Sequence, residues 1–428
     1  MRYTIMSTGL PLAQIEKEIA RVGGKDIVKA HIVGHLFCEL TEEAAEKLSA
    51  VPGLKVTPVR TIRSEQVITE ETEALPAAIP SPQQELTVLD VFSMMRDYFT
   101  PAITGTGLTV AVLDTGVRKT HKSLVGKVVY EYNTTESPTV DDVFGHGTGV
   151  AFLIAGGIHG STEKTGVSPG ASIMNIKVLS DEGVGTDETI IMGINKVCEL
   201  AEAARKGGLL PTHAMYPNII NISIGAEDTG DADDPLRVAC RKAVDDYGVD
   251  VICAAGNSGP KRSTVMLPAT EPKVVAVGGL ITGSVEVWEK SARGPTLLGD
   301  TKPDFVFWAT DIEAASHKDD ESYDAKSGTS FSTPFVTGLA GLLWETGRRA
   351  YGELWPFRWS QVLEFAPYYC VKPVEAAVMK DNTYGYGMPA MGVMVNQITQ
   401  PVQEADITQA MPMFIGMAMM ASLVGGMV

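Results

Sequence analysis

The stretch Leu108–Asp114, "LTVAVLD", is an unbroken apolar and β-branched run closed by a carboxylate. It lacks the in-and-out alternation of a half-solvated strand, so it reads as a strand covered on both faces. Runs of the same kind follow at 127–133 ("KVVYEYN"), 172–179 ("SIMNIKVL"), 219–225 ("IINISIG"), 249–257 ("VDVICAAGN") and 273–279 ("KVVAVGG"). Between them lie segments with helical spacing, at 147–157, 187–207 and 234–248. Val/Ile runs alternating with helices predict an α/β fold, a doubly wound and mostly parallel sheet. Sites in such sheets form outside the carboxyl ends of the strands.

Working toward the N-terminus, residues 2–61 read as a separate, smaller unit. "RYTIMS" is a strand, "PLAQIEKEIARV" a helix, and "IVKAHIVGHLFCEL" two short strands around Gly34. "TEEAAEKLSAV" is a second helix and "LKVTPVR" a closing strand. The order β-α-β-β-α-β is that of a ferredoxin-like α+β unit. We set this unit at 1–63, followed by an acidic, proline-bearing linker at 64–86 and the large domain at 87–398, which opens with a helix over 86–99. An extension at 399–428 ends in "MPMFIGMAMMASLVGGMV".

Bulk properties exclude some function classes. With 35 Lys and Arg against 52 Asp and Glu, the net charge is −17, which argues against nucleic acid as a partner. Five widely spaced cysteines without a CxxC pair argue against a disulfide framework or a zinc site. No GxGxxG or GxxxxGK[ST] follows a strand, so a nucleotide site is not expected. The start has no signal-peptide pattern, which predicts a cytoplasmic location or a place in an assembled particle.

Four residues stand where strands end or helices begin, beside glycines. Asp114 ends "LTVAVLD", His146 sits in "GHGTGVA", Asn257 ends "VDVICAAGN", and Ser330 opens the apolar helix of "SGTSFSTPFVTGLAGLLWE". Each alone is as well explained as a turn, a cap or a structural residue. Together, in the chain order Asp…His…Ser, they match a nucleophile, its base and the group that orients the base.

"VAVLDTGV", "GHGTGVA", "AAGNSG" and "SGTSFSTPFVTG" resemble, in order, the four signature blocks of the subtilisin-like serine proteases, the subtilases. "NTYGYGMPAMGVMVN" is similar to the family's closing Gly-Tyr-Gly segment, and the resemblance spans roughly residues 85–395. It implies a serine endopeptidase that works through an acyl-enzyme and needs no cofactor for its chemistry. Ser330 would be the nucleophile, His146 the base and Asp114 its orienter. The Asn257 carboxamide and the Ser330 N–H would bind the oxyanion. Ser223, Ile224 and Gly225 would pair with extended polypeptide substrate. Ala254, Ala255 and Gly256 would line an open P1 pocket suited to sizeable apolar side chains, and "LSDEGVGTDET" would border the P4 pocket. By element order and position, the N-terminal unit resembles the family's propeptide. It would then be an intramolecular inhibitor, cut off within 62–86 by the enzyme itself.

Three segments depart from the pattern. Gly149 stands where the family has His, and Phe331-Ser332 and Pro334-Phe335-Val336 replace Met-Ala and Pro-His-Val. The loop at 156–170 is poor in the oxygen ligands a calcium ion needs, so no metal site is expected there. Five acidic residues crowd positions 227–235, which read as a solvated acidic loop. The charge-free tail at 411–428 would reach about 27 Å as a helix, somewhat short of a bilayer crossing. It is read as a surface for a protein partner or for membrane tethering. An alternative to the enzyme is a non-proteolytic assembly module built on the same fold.

Overall fold

The computed structural model describes residues 1–7, 9–64, 103–157, 164–353, 358–366, 369–373 and 380–390. The linker from residue 65 onward, the helix expected over 86–99, the middle of the 156–170 loop and the C-terminal tail lie outside these residues.

The chain opens with β1 (Arg2–Ser7), α1 (Leu12–Arg21), β2 (Lys25–Ala30), β3 (His35–Glu39), α2 (Glu42–Ser49) and β4 (Leu54–Pro58). Their antiparallel sheet has the order β2-β3-β1-β4, as the ferredoxin-like pattern requires. Pleating splits β3 between two environments. Leu36 and Cys38 join Ile5, Ile15, Ile19 and Leu48 under the unit's own helices, while Phe37 faces the large domain and joins its core with Ala30 and Val33.

"LKVTPVR" supplies the closing strand β4, which ends at Pro58, and β5 (Thr61–Arg63), just beyond that stretch, belongs to a different ladder.

The large domain contains β6 (Thr109–Asp114), β7 (Val128–Asn133), α3 (Gly147–Ala155), β8 (Ser172–Lys177), β9 (Val184–Thr186) and α4 (Asp187–Lys206). These lead to β10 (Ile219–Ile222), α5 (Pro235–Asp245), β11 (Asp250–Ala254), β12 (Val275–Leu280) and β13 (Phe305–Trp308). The hairpin β14 (Ile312–Ala315) and β15 (Tyr323–Lys326) precedes α6 (Thr329–Tyr351) and α7 (Trp359–Phe365). Seven strands form one sheet in the order β13-β12-β11-β10-β6-β8-β7, with every pairing parallel.

Alternate residues of β6 serve opposite faces. Val110 and Val112 pack with α3 and α6, whereas Ala111 and Leu113 pack with α4 and α5. This is the doubly wound α/β fold, with the small antiparallel unit beside it. The strand order turns back at β6, whose neighbours are β8 and β10. Open α/β sheets keep their ligand crevice at such a switch point, and Asp114 is the last residue of β6.

Candidate active site

Three neighbouring strands deliver groups to the same edge. Asp114 closes β6, Ser223 follows β10, and Asn257 lies just past β11. Nδ1 of His146 lies 2.7 and 2.9 Å from the two oxygens of Asp114, with the imidazole fully buried. The contact depends on Gly147, the first residue of α3. A Cβ there would lie 2.2 Å from the carbonyl oxygen of Gly116 and 3.0 Å from the Asp114 Cβ, so only glycine lets the helix start against the strand end.

His146 precedes α3 without capping it by its side chain. The cap comes from Asp142, a buried residue that sequence reading passed over. Its Oδ1 accepts from the Gly145 N–H (2.6 Å) and the Thr115 hydroxyl (2.8 Å), and its Oδ2 from the Thr148 N–H (2.8 Å) and hydroxyl (2.7 Å). Thr115 in turn accepts the Gly147 N–H at 2.9 Å. The signal for Asp142 lay in "DDVFGHGT", an acidic residue a few positions ahead of a helix start.

Ser330 lies in the first turn of α6, after Gly328, and is nearly buried. Its hydroxyl donates to the carbonyl of Ser223 at 2.8 Å. It makes no hydrogen bond to His146, whose Nε2 is buried with no partner among the described residues. The next side chain ties the two elements together, because the Phe331 ring packs 5.1 Å from the imidazole. Phe335 packs on Phe307 at 4.9 Å, and the Ser332 hydroxyl bonds to the carbonyl of Gly278. The unusual residues around the serine therefore fill space. Gly149 does the reverse and leaves room: a Cβ there would press at 3.3 Å on Ala314 and on the stem of Lys326.

The Asn257 Oδ1 accepts from the N–H and the hydroxyl of Thr329, at 2.9 and 3.0 Å. That commits the oxygen and leaves the amide nitrogen as the donor edge of the side chain. Asn257 and Ser330 line one pocket with Ser223, Ile224, Gly225, Ala254, Gly256, Thr329, Met266 and Arg63. Ala255 is not among its walls. Residues along an extended segment alternate sides, so the Ala255 methyl points into the core beside Val265, Leu267 and Ala276. Met266 was not expected in the wall and narrows the pocket, and Arg63 comes from the N-terminal segment.

Electrostatic pairing corrects part of the reading of 227–235 as a solvated loop: Glu227 and Asp233 are exposed, but the other three acids are paired. Asp228 pairs with the buried Arg237 at 2.9 Å, Asp231 with Lys55, and Asp234 with Arg60. No three His, Cys, Asp or Glu side chains come together as metal ligands among the described residues. All five cysteines are free thiols, and burial pushes Cys38 up to about 11 and Cys198 to about 12. Among the described residues no helix is long and apolar enough to cross a membrane.

Comparison with known proteins agrees with this arrangement. The model of the subtilase family matches residues 105–387. The chain is 32% identical over 266 residues to serine protease AprX of Bacillus subtilis (strain 168), covering 56% of this chain and 58% of that protein. It is 31% identical over 242 residues to subtilisin E of the same strain, covering 56% of each. Identity to thermitase of Thermoactinomyces vulgaris is 30% over 254 residues, covering 58% of this chain and 78% of thermitase. The match thus spans little more than half the length of AprX and subtilisin E.

Proposed function

The chain belongs to the subtilase family, and from that premise we propose that it is a serine endopeptidase, made as a self-processing precursor. Ser330 attacks the scissile carbonyl. His146 takes the hydroxyl proton at Nε2 and later gives it to the leaving amine, while Asp114 keeps the other ring nitrogen protonated and stabilises the imidazolium. Before attack, the Ser330 hydroxyl turns from the Ser223 carbonyl to Nε2. The Asn257 amide and the backbone N–H of Ser330 receive the oxyanion, at a helix start whose dipole favours negative charge.

One observation carries the reading. The chain's own strand β5 runs antiparallel to β9, and its last residue, Arg63, also bridges to Gly225 at the mouth of the pocket that holds Ser330. An added strand is how a cleft of this kind takes polypeptide. The N-terminal unit would therefore act as an inhibitor that fills the cleft until the chain is cut beyond it.

Labelling with a fluorophosphonate probe tests this. Label on Ser330 that is lost in Ser330→Ala, together with peptide hydrolysis, is the expected result. A processed chain that neither labels nor hydrolyses peptides would leave only an assembly module on this fold.

A further inference from the structure

Resting on the protease reading, we propose that Asp187 and Asp234 form a substrate subsite for an arginine or lysine side chain, six residues before the bond that is cut.

The occupant in this structure is Arg60. Its Nε and Nη2 lie 2.8 and 3.0 Å from the two oxygens of Asp187, its Nη2 lies 3.0 Å from Oδ1 of Asp234, and its Nη1 lies 2.9 Å from Oδ2 of Asp234. The carboxylates are almost wholly buried, at 2% and 5% exposure, whereas Arg60 remains 26% exposed and belongs to the segment laid into the cleft. Asp234 is anchored independently of that segment, since it caps α5 by accepting the Leu236 N–H at 3.0 Å, whereas Asp187 is placed by its backbone in the first turn of α4 and its carboxylate also accepts the Arg60 N–H at 2.9 Å. Helix starts favour the ionised form, while burial pushes the Asp234 carboxyl up. Once the segment leaves, the two neighbouring carboxylates lose their cation, and a basic side chain of the next substrate relieves the repulsion between them.

Backbone register gives the position. The Asp187 N–H donates to the carbonyl of Arg60 at 3.1 Å, Thr61 pairs with Thr186, Ile62 with Gly185 and Arg63 with Val184. The Ser64 N–H continues the ladder to the carbonyl of Gly183. On the other side Arg63 stands opposite Gly225 in antiparallel sense. Two steps forward along any peptide in this register are two steps back, to Ser223, whose carbonyl touches the Ser330 hydroxyl. The reacting carbonyl therefore belongs to the second residue after the one facing Gly225. The clamp reads the residue five positions before that carbonyl. Between the two, Ile62 is buried beside Leu179 and Ile190, so the fourth position before the bond is apolar.

The test uses the full chain after it has processed itself, and capped decapeptides with the sequence of residues 60–69 bearing Glu65→Leu, "RTIRSLQVIT", to suit an apolar P1 pocket, carrying Arg, Lys or Glu first. Mass spectrometry should find the cut after the sixth residue. The kcat/KM for the Arg and Lys peptides should exceed that for the Glu peptide by tenfold or more. In Asp187→Asn/Asp234→Asn that ratio should fall toward one. Equal kcat/KM for the Arg and Glu peptides with the wild-type protein overturns the subsite, and this arm suffices should the double variant not fold. If Ser330 takes the fluorophosphonate label but no peptide is cut after its sixth residue, the subsite assignment falls alone. Absence of label brings down the protease reading itself.

Discussion

The hydroxyl of Ser330 donates to the carbonyl of Ser223 at 2.8 Å, on the same edge where Asp114 holds His146 with both carboxylate oxygens. In the proposed mechanism the nucleophile thus rests on a main-chain acceptor, while the Asp114–His146 pair that would activate it is already assembled and buried. Each part can be tested separately.

Asp114→Asn keeps the shape of the contact but presents an amide to Nδ1, which favours the wrong imidazole tautomer. We expect kcat to fall by about 10⁴ with KM little changed, as read by steady-state hydrolysis of a peptide. A loss under tenfold would mean that His146 does not depend on Asp114.

Asn257→Ala removes the donor edge that Thr329 holds in place. The expected loss is about 10²–10³ in kcat, the magnitude established for such a donor in a subtilisin. Fluorophosphonate labelling should slow as well. Unchanged turnover would assign Asn257 to the turn alone.

Asp142→Ala strips four donors of their acceptor at the start of α3, among them the Thr148 N–H and the Thr115 hydroxyl. Buried groups left unpaired cost about 1–3 kcal/mol each, partly recovered by relaxation, so a total near 3 kcal/mol is expected. Denaturant melts of the Ser330→Ala background, which cannot digest itself, measure this. A change below about 1 kcal/mol would show that the network is dispensable.

His35 lies buried where the N-terminal unit meets the large domain, with Nδ1 2.8 Å from the Val33 carbonyl and Nε2 3.1 Å from that of Pro235. Burial, helped by the nearby Lys242 charge, lowers its pKa from 6.5 to about 4. The unfolded chain thus binds this proton below pH 6.5, whereas the folded one does not until about pH 4. The stability contributed by neutral His35 is complete above pH 6.5 and is lost as the pH falls toward 4, by about 3 kcal/mol in all. In the Ser330→Ala chain, Tm should drop across that window, and less steeply in His35→Gln. Identical acid slopes would exclude His35 as the cause.

Much of the fold was legible in the chain itself. A Val/Ile run followed by helical spacing has few packing solutions, so the sheet and its two helical layers could be read directly, as could the ferredoxin-like order of residues 2–61. The short strand Thr61–Arg63 was not legible as a partner of Val184–Thr186, because its ladder joins positions 121 to 125 residues apart and carries no local signal. Local reading also misjudged part of residues 227–235, where acidic crowding looks solvated until Arg60 and Lys55 arrive from far along the chain and Arg237, just past the loop, folds back onto Asp228.

Sequence by itself determined which residue types stand at strand ends and helix starts, since glycine, carboxylate, imidazole and hydroxyl are covalent facts with strong local preferences. It determined the period of each element, and through that the layers. Only the tertiary structure decided which of those groups touch. Asp114 meets His146 because Gly147 admits a close approach; Ser330 bonds to Ser223 because the fold brings the end of β10 within 2.8 Å of its hydroxyl; and Ala255 turns inward because neighbouring residues in an extended segment face opposite ways. Contacts of this kind depend on distances between atoms far apart in the chain, and no local pattern encodes such a distance.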